Sequence, residues 1–533
     1  MPVPRTRRAL VAVVVAMGVT GSLATSGSAS PMEPGGVDRP STPILVEQAI
    51  RAGHLDRATG YLYIAEAMLR PERVPAAYRS DAPFDGTVWL RALRRALPTL
   101  QPGAAKAELE GLLAPDPGSF CDVLSPSPLP DNVQTAHFYI EYDASLIGGA
   151  SGLTLADYID SLEHSWQTEV GAFGWVAPPL YEVAPPGGTY HVRIEPAMAP
   201  VLYGFVSNLG KYAGPVGDNP NSAWDDVDAD ASCMGLNNDY STFPGTPRRA
   251  LDATTAHEFN HSLQFGIGGL SGANAPDDVF VEGGATYMED EAYDTANDNY
   301  NYLWPVFEDD MGENEDSPYG YWVVWRAIFE RFGTAVPGGG EDVYQAFWEI
   351  TSRNQASNLD ALGMALAARG TSLADAYSTG GVALAFLKGC GGRSKYPYCL
   401  EEGPQYVSGD GVQQGAGETE PDGSIGAVGG SVSGTVPDNY ALNWVELPIG
   451  VGTYVVRFTN TSAGGAFRVI LGCDTGSSIK VVSLPGTVGA GKTSSKKFTS
   501  AGCLEAVATI ANVAQTAPNP STSEERGYTI SVT

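Results

Sequence analysis

Apolar positions recur at helical spacing from 43 to about 113. Ile44, Ala49 and Ile50 come first, then Ala58, Tyr61, Leu62, Ile64, Ala65 and Leu69, with further runs over 88–97 and near 104–112. This predicts a helical N-terminal region, read as a propeptide or a helical cap. The stretch 115–130 is rich in Pro and Ser and reads as a linker. Beyond it, 137–142 reads as a strand, 155–170 as a helix with Ile159, Leu162 and Trp166 on one face, and 190–194 as a second strand. From 251 to about 388 the spacing is again helical. A Gly-rich stretch at 409–434 precedes short β-type runs at 454–458, 467–471, 481–484 and 528–532, separated by turn residues at intervals that suit a sandwich. The order is that of an α+β domain between a helical N-terminal region and a C-terminal all-β sandwich. The boundaries implied are 1–30, 31–125, 126–400, a linker at 401–435, and 436–533.

Composition narrows the function classes. The chain has 533 residues, with Lys+Arg 31 against Asp+Glu 61 and a formal charge of −30. Phosphate recognition needs clustered cations, so nucleic acid and anionic membranes are excluded as expected partners. The first thirty residues place Arg5, Arg7 and Arg8 before an apolar run at 9–19, and the small-residue stretches 22–24 and 27–29 follow as cleavage sites. That pattern is a secretory signal peptide, so a secreted protein without stable membrane insertion is expected. Six cysteines suit an oxidising destination. Proximity favours Cys390–Cys399 and Cys473–Cys503, which leaves Cys121–Cys233. Nothing in the sequence indicates an oligomeric state.

The chemistry concentrates at 257–261, His-Glu-Phe-Asn-His. On a helix begun by Asp252 as N-cap and stopped by Gly266, Gly268 and Gly269, His257 and His261 stand one turn apart, and both imidazoles leave one face. Two such nitrogens can hold one Zn²⁺, and Glu258 beside the first ligand can act as general base. A third ligand is needed. The other histidines, His54, His137, His164 and His191, all precede the pair. Gln264 and Ile267 stand where a metzincin needs Gly and His. Glu282 is the best carboxylate, in Glu282-Gly283-Gly284-Ala285-Thr286-Tyr287-Met288-Glu289. The small residues after it are expected to let a second helix lie close against the first. Glu289 shares the face of Glu282 and can receive a hydrogen bond from a ligand imidazole.

These residues resemble the gluzincin metallopeptidases, in which HExxH is followed by a Glu ligand on a second helix. The segment from Glu282 to Glu289 looks like the Glu-Gly-x-Ala-x-Tyr-x-Glu element of that clan. With Asn238-Asp239-Tyr240 upstream and Gln264-Phe265 after the histidines, the stretch looks more narrowly like secreted bacterial metalloproteases with a helical N-terminal segment and a C-terminal β domain. The resemblance implies an α+β zincin-like catalytic domain, Zn²⁺ held by His257, His261 and Glu282, and hydrolysis of a protein or peptide substrate with Glu258 as base. It also implies an oxyanion donor. Tyr319 is the first choice and Tyr321 the second, ahead of a helical run at 323–332. The Gly-x-Met-Glu-Asn element of gluzincin aminopeptidases is absent from the sequence, which favours an endopeptidase. The alternative is a secreted non-catalytic binding protein with a degenerate zincin core and an adhesive sandwich; the presence of Glu258 speaks for the enzyme. A zinc hydrolase of non-peptide bonds would share the same site.

Two acidic groups remain: Asp225, Asp226, Asp228 and Asp230, and Glu308, Asp309, Asp310, Glu313, Glu315 and Asp316. They read as solvated loops, with structural Ca²⁺ as the alternative. Trp304, Trp322 and Trp325 read as core rather than cleft residues.

Overall fold

The computed structural model describes residues 40–114, 121, 128–268, 270, 274–303, 318–333, 341–390, 398–516 and 524–533. The N-terminal stretch read as a signal peptide, most of the Pro/Ser-rich stretch, Trp304 and the acidic group at 308–316 lie outside the described residues.

Four helices build the N-terminal region: α1 (Thr42–Arg51), α2 (Arg57–Leu69), α3 (Thr87–Ala96) and α4 (Ala104–Leu112). Asp56 caps α2 by accepting from the Thr59 amide at 3.0 Å. The apolar stripes of these helices meet in a core with Val46, Ile64, Met68, Leu93 and Leu109 at its centre. Leu202, Phe205 and Leu209 enter the same core from the following domain, so the helical region has no core of its own.

That domain is built on a sheet of β1 (Asp131–Gln134), β2 (Phe138–Tyr142), β3 (Tyr190–Glu195), β4 (Gly204–Ser207) and β7 (Cys233–Asn237). The order is β1-β2-β3-β7-β4. The three central strands β2, β3 and β7 are parallel, while β1 and β4 run antiparallel to them at the two edges. A ribbon of β5 (Gly214–Gly217) and β6 (Ala229–Ala231) lies between β4 and β7 in sequence. Every residue of β3 is buried, as expected of a parallel strand covered on both faces. Arg193 on β3 donates to Glu141 at 2.7 Å and to Glu195 at 2.6 Å, which neutralises a buried cation.

Helix α5 (Leu155–Trp166) starts at a capping box made by Thr154 and Asp157 and continues as a wider π turn over Gln167–Ala172. Helix α6 (Pro247–Ile267) packs on α5 and carries the HExxH sequence. Its N-cap is Thr246, with Pro247 opening the first turn, and not Asp252. Asp252 lies inside the helix, where it accepts from Arg248 and Ser161, both at 2.8 Å. Gly266 also lies inside; Gly268, at φ 90°, is the residue that ends the helix.

Helices α7 (Asp278–Ala292), α8 (Trp322–Phe332), α9 (Glu341–Ser352), α10 (Asn358–Ala367) and α11 (Leu373–Phe386) follow. Trp322 and Trp325 are buried in the core. The stretch read as a Gly-rich linker opens with α12 (Gly403–Ser408) and closes with β8 (Gly423–Ser424) and the start of β9 (Ser431–Pro437). Strands β10 (Ala441–Glu446), β11 (Thr453–Asn460), β12 (Ala466–Asp474), β13 (Ile479–Ser483), β14 (Val488–Gly489), β15 (Thr493–Thr499), β16 (Glu505–Asn512) and β17 (Glu525–Val532) complete the chain. They form two sheets, β13-β12-β16-β10-β8 and β15-β11-β17-β9, so the C-terminal region is rich in β structure as expected. Helix α11 lies on the first sheet: Trp444 donates to the Gly381 carbonyl at 3.0 Å, and a Cβ at Gly381 would come within 2.8 Å of Leu442.

The disulfides are Cys121–Cys233, Cys390–Cys399 and Cys473–Cys503, the pairing that proximity favoured. No helix among the described residues is long and apolar enough to cross a membrane.

Candidate metal centre

His257 and His261 leave the same face of α6 and meet Glu282 from α7. Their facing atoms form a small triangle. The two Nε2 atoms are 3.0 Å apart, His257 Nε2 lies 3.1 Å from Glu282 Oε2, and His261 Nε2 lies 3.5 Å from Glu282 Oε1. Ligands at ~2.0–2.1 Å from a tetrahedral zinc stand about 3.3 Å from one another, so the triangle has the size such an ion needs. All three side chains are buried.

The surroundings set the histidine tautomers. Glu289 Oε1 lies 2.6 Å from His257 Nδ1, and Gln264 Oε1 lies 2.9 Å from His261 Nδ1. Both acceptors call for a proton on Nδ1, which leaves the Nε2 lone pairs pointing into the triangle. Gln264 is itself oriented. Its amide donates to Asn260 Oδ1 at 2.9 Å and to the Tyr344 hydroxyl at 3.1 Å, and Asn260 donates to the buried Glu169 at 3.0 Å. This chain ties the second histidine to the π turn behind α5.

Helix α7 lies against α6 as expected, but the two glycines after Glu282 make room for other neighbours. A Cβ at Gly284 would collide with the Tyr344 hydroxyl, and one at Gly283 would meet the Pro318 carbonyl at 2.9 Å. They make room for α9 and for the turn before α8, not for α6. Tyr344 then donates to the Phe280 carbonyl at 3.0 Å and accepts from Gln264, so it joins α7 to α6.

Glu258 is fully buried beside the triangle. Gly204 on β4 lets it fit, since a Cβ there would stand 3.0 Å from Glu258 Cγ. The Thr87 hydroxyl donates to Glu258 Oε2 at 2.8 Å, and the Glu258 carboxyl also meets that of Asp85. Tyr319 stacks on Tyr302 at 5.0 Å, and its ring centre is 6.1 Å from that of His257. Its hydroxyl is buried without a hydrogen-bond partner among the described residues. Tyr321 instead packs into the core beside Gly283 and Trp325.

Two acids came into the site without a sequence signal. Asp85, from the N-terminal region, places Oδ2 3.8 Å from His257 Nε2. Asp298 lies nearby, its carboxyl pushed up to about 7 by burial and then by the charge of Asp85. Asp85 precedes a helix in Phe84-Asp85-Gly86-Thr87 and has the look of a helix-start residue, which conceals any other role.

Electrostatics favour a dication here. Burial, and then Asp85, push the Glu258 carboxyl well above its usual range. Burial would also raise Glu282, but His261 and His257 hold it down to about 2. Burial opposes protonation of His257, yet Asp85, Glu282 and Glu289 outweigh it and push its pKa well above the histidine range. Four buried carboxyls around the two imidazoles, Asp85, Glu258, Glu289 and Asp298, are thus pushed toward their protonated forms, where a divalent ion would balance the charge. Among the described residues no other group of three or more His, Cys, Asp or Glu comes within ligand distance. In the Asp225–Asp230 loop, Asp230 instead accepts from Asn208 at 2.6 Å.

No protein-family sequence profile matches the chain, and no curated protein is significantly similar to it.

Proposed function

We propose that the protein is a secreted zinc-dependent metallopeptidase of gluzincin type, acting as an endopeptidase on protein or peptide substrates. The observation that carries this reading is the triangle of His257 Nε2, His261 Nε2 and Glu282, sized for one ion, with a buried carboxyl adjacent to it on the same helix. Two imidazoles and a carboxylate suit zinc better than Ca²⁺ or Mg²⁺, which prefer all-oxygen shells. Disulfides and a signal-type N-terminus support secretion.

Bound in this triangle, Zn²⁺ supplies Lewis acidity to a scissile carbonyl and acidifies water. The chain's own residues do the rest. Glu258, buried beside the triangle on the same helix as both histidines, takes a proton from the attacking water and passes it to the leaving amine. Tyr319 brings an uncommitted hydroxyl toward the oxyanion as it develops. Glu289 and Gln264 keep both imidazoles in the ligating tautomer.

The test pairs metal content with hydrolysis of an unfolded protein such as casein. About one zinc per chain, with cleavage abolished by a chelator and restored by Zn²⁺, is expected. Folded protein that takes up no zinc would refute the reading.

A further inference from the structure

The N-terminal region does more than pack against the sheet. Its segment 84–87 enters the site itself. The Phe84 amide donates to the Val201 carbonyl at 3.0 Å, the Tyr203 amide donates to the Phe84 carbonyl at 3.1 Å, and the Gly86 amide donates to the Gly204 carbonyl at 2.9 Å. Phe84 and Leu202 form a parallel bridge. The segment is thus a short extra strand on the open β4 edge of the sheet. Gly86 is required by the closeness of this approach, since a Cβ there would stand 2.7 Å from Phe205 Cβ and 3.1 Å from the Gly204 carbonyl.

Side chains alternate along a strand, so Phe84 goes to the hydrophobic core while Asp85 goes to the metal centre. Asp85 is only 5% exposed, and its carboxyl also meets the carboxyl of Glu258 within hydrogen-bond reach. Its Oδ2 is 3.8 Å from His257 Nε2 but stands outside the group formed by His257, His261 and Glu282, so ligation requires the carboxylate to swing inward when an ion binds. Thr87 completes the occupation. Its hydroxyl accepts from the Val206 amide at 2.8 Å and donates to Glu258 Oε2 at 2.8 Å. Helix α3 is then fastened to the glutamate helix, because Arg91 donates to Asp278 Oδ1 at 2.7 Å and to the Pro276 carbonyl.

We propose that residues 84–87 occupy the substrate cleft as an intramolecular inhibitor, with Asp85 the fourth protein ligand of the metal and Thr87 restraining Glu258. The proposal rests on the metallopeptidase reading above and deepens it. It identifies the substrate as an extended polypeptide that pairs through its backbone with 201–204, since the occupant already uses those groups. The occupant is not itself cleaved, because it presents a side-chain carboxylate to the metal where a substrate would present a peptide carbonyl. Occupation of the cleft therefore lowers the activity of the full chain without abolishing it.

The experiment uses the full chain loaded with Co²⁺, comparing wild type with Asp85→Ala and Asp85→Asn. Cobalt absorption reports the ligand set directly, and azide reports an open coordination position. Both variants should keep the wild-type circular dichroism and melting profile. Their cobalt spectrum should change, and azide should perturb it at concentrations that leave wild type unaffected. Casein hydrolysis by the zinc-loaded Asp85→Ala chain should rise at least about tenfold. Identical spectra and azide responses in all three proteins would overturn the proposal while leaving the metal centre intact. An opened site in the variants with no peptide hydrolysis would support Asp85 as a ligand and remove the peptidase reading. Failure of wild type to bind cobalt at all would overturn both.

Discussion

Replacing Glu289 tests how the first histidine is held. The carboxylate accepts from His257 Nδ1 at 2.6 Å and is almost wholly buried, so water cannot take its place. In Glu289→Leu the imidazole N–H keeps its position but loses its acceptor. An unsatisfied buried donor costs ~1–3 kcal/mol. The imidazole can avoid that cost by moving its proton to Nε2, which removes the lone pair the metal needs. Either route weakens zinc binding by about tenfold to a hundredfold, the range seen when the partner of a ligating histidine is lost. Glu289→Gln retains an acceptor oxygen without the charge and should sit near the lower end. Competition with a chromophoric chelator near neutral pH measures the zinc dissociation constant for each variant. A folded Glu289→Leu protein binding zinc within about twofold of wild type would show that Glu289 does not orient His257, and the tautomer argument would fall.

Three further outcomes are expected. On an Asp85→Ala background, which frees the cleft, Glu258→Gln should abolish casein hydrolysis and leave zinc stoichiometry unchanged; retained turnover would take the proton-transfer role from Glu258. On the same background Tyr319→Phe should lower kcat by about 10²–10³ with metal retained, the usual loss for one oxyanion donor, and an unchanged rate would assign the buried hydroxyl to packing. Burial, and then Asp290, push the Glu402 carboxyl up to about 8, above its ordinary value of 4.5. A carboxyl raised on folding contributes stability that is full below its unfolded pKa and is lost as pH rises through its folded pKa. Glu402→Gln should therefore flatten the decline in Tm between pH ~5 and ~8; parallel declines in the two proteins would contradict this.

Local patterns made part of the molecule legible. The spacing of His257 and His261 is a property of one helix, and the Glu282–Glu289 spacing is a property of the next, so both faces could be read from sequence. The long-range partners were hidden. Gln264 orients His261 only because Asn260 and Tyr344 orient Gln264, and that network spans α6, α7, α9 and the π turn. Gly283 and Gly284 announced close packing but not the identity of the neighbour. Asp252 and Thr246 are both good N-caps by residue type, and Pro247 is what marks Thr246 as the start of α6. Strands β10 and β16 escaped because they do not alternate: α11 covers the outer face of their sheet, so residues such as Leu442 and Ala511 are buried on the side a sandwich would expose. Asp85 was the least accessible of all, since its placement depends on pairing between 84–86 and the β4 edge.

Elemental analysis of purified wild type beside His261→Ala and Glu282→Ala addresses the metal centre most directly. The account predicts about one zinc per wild-type chain and ready loss of zinc from both variants while they remain folded. Wild type that stays zinc-free after Zn²⁺ is supplied, or either variant holding a full equivalent, would contradict it.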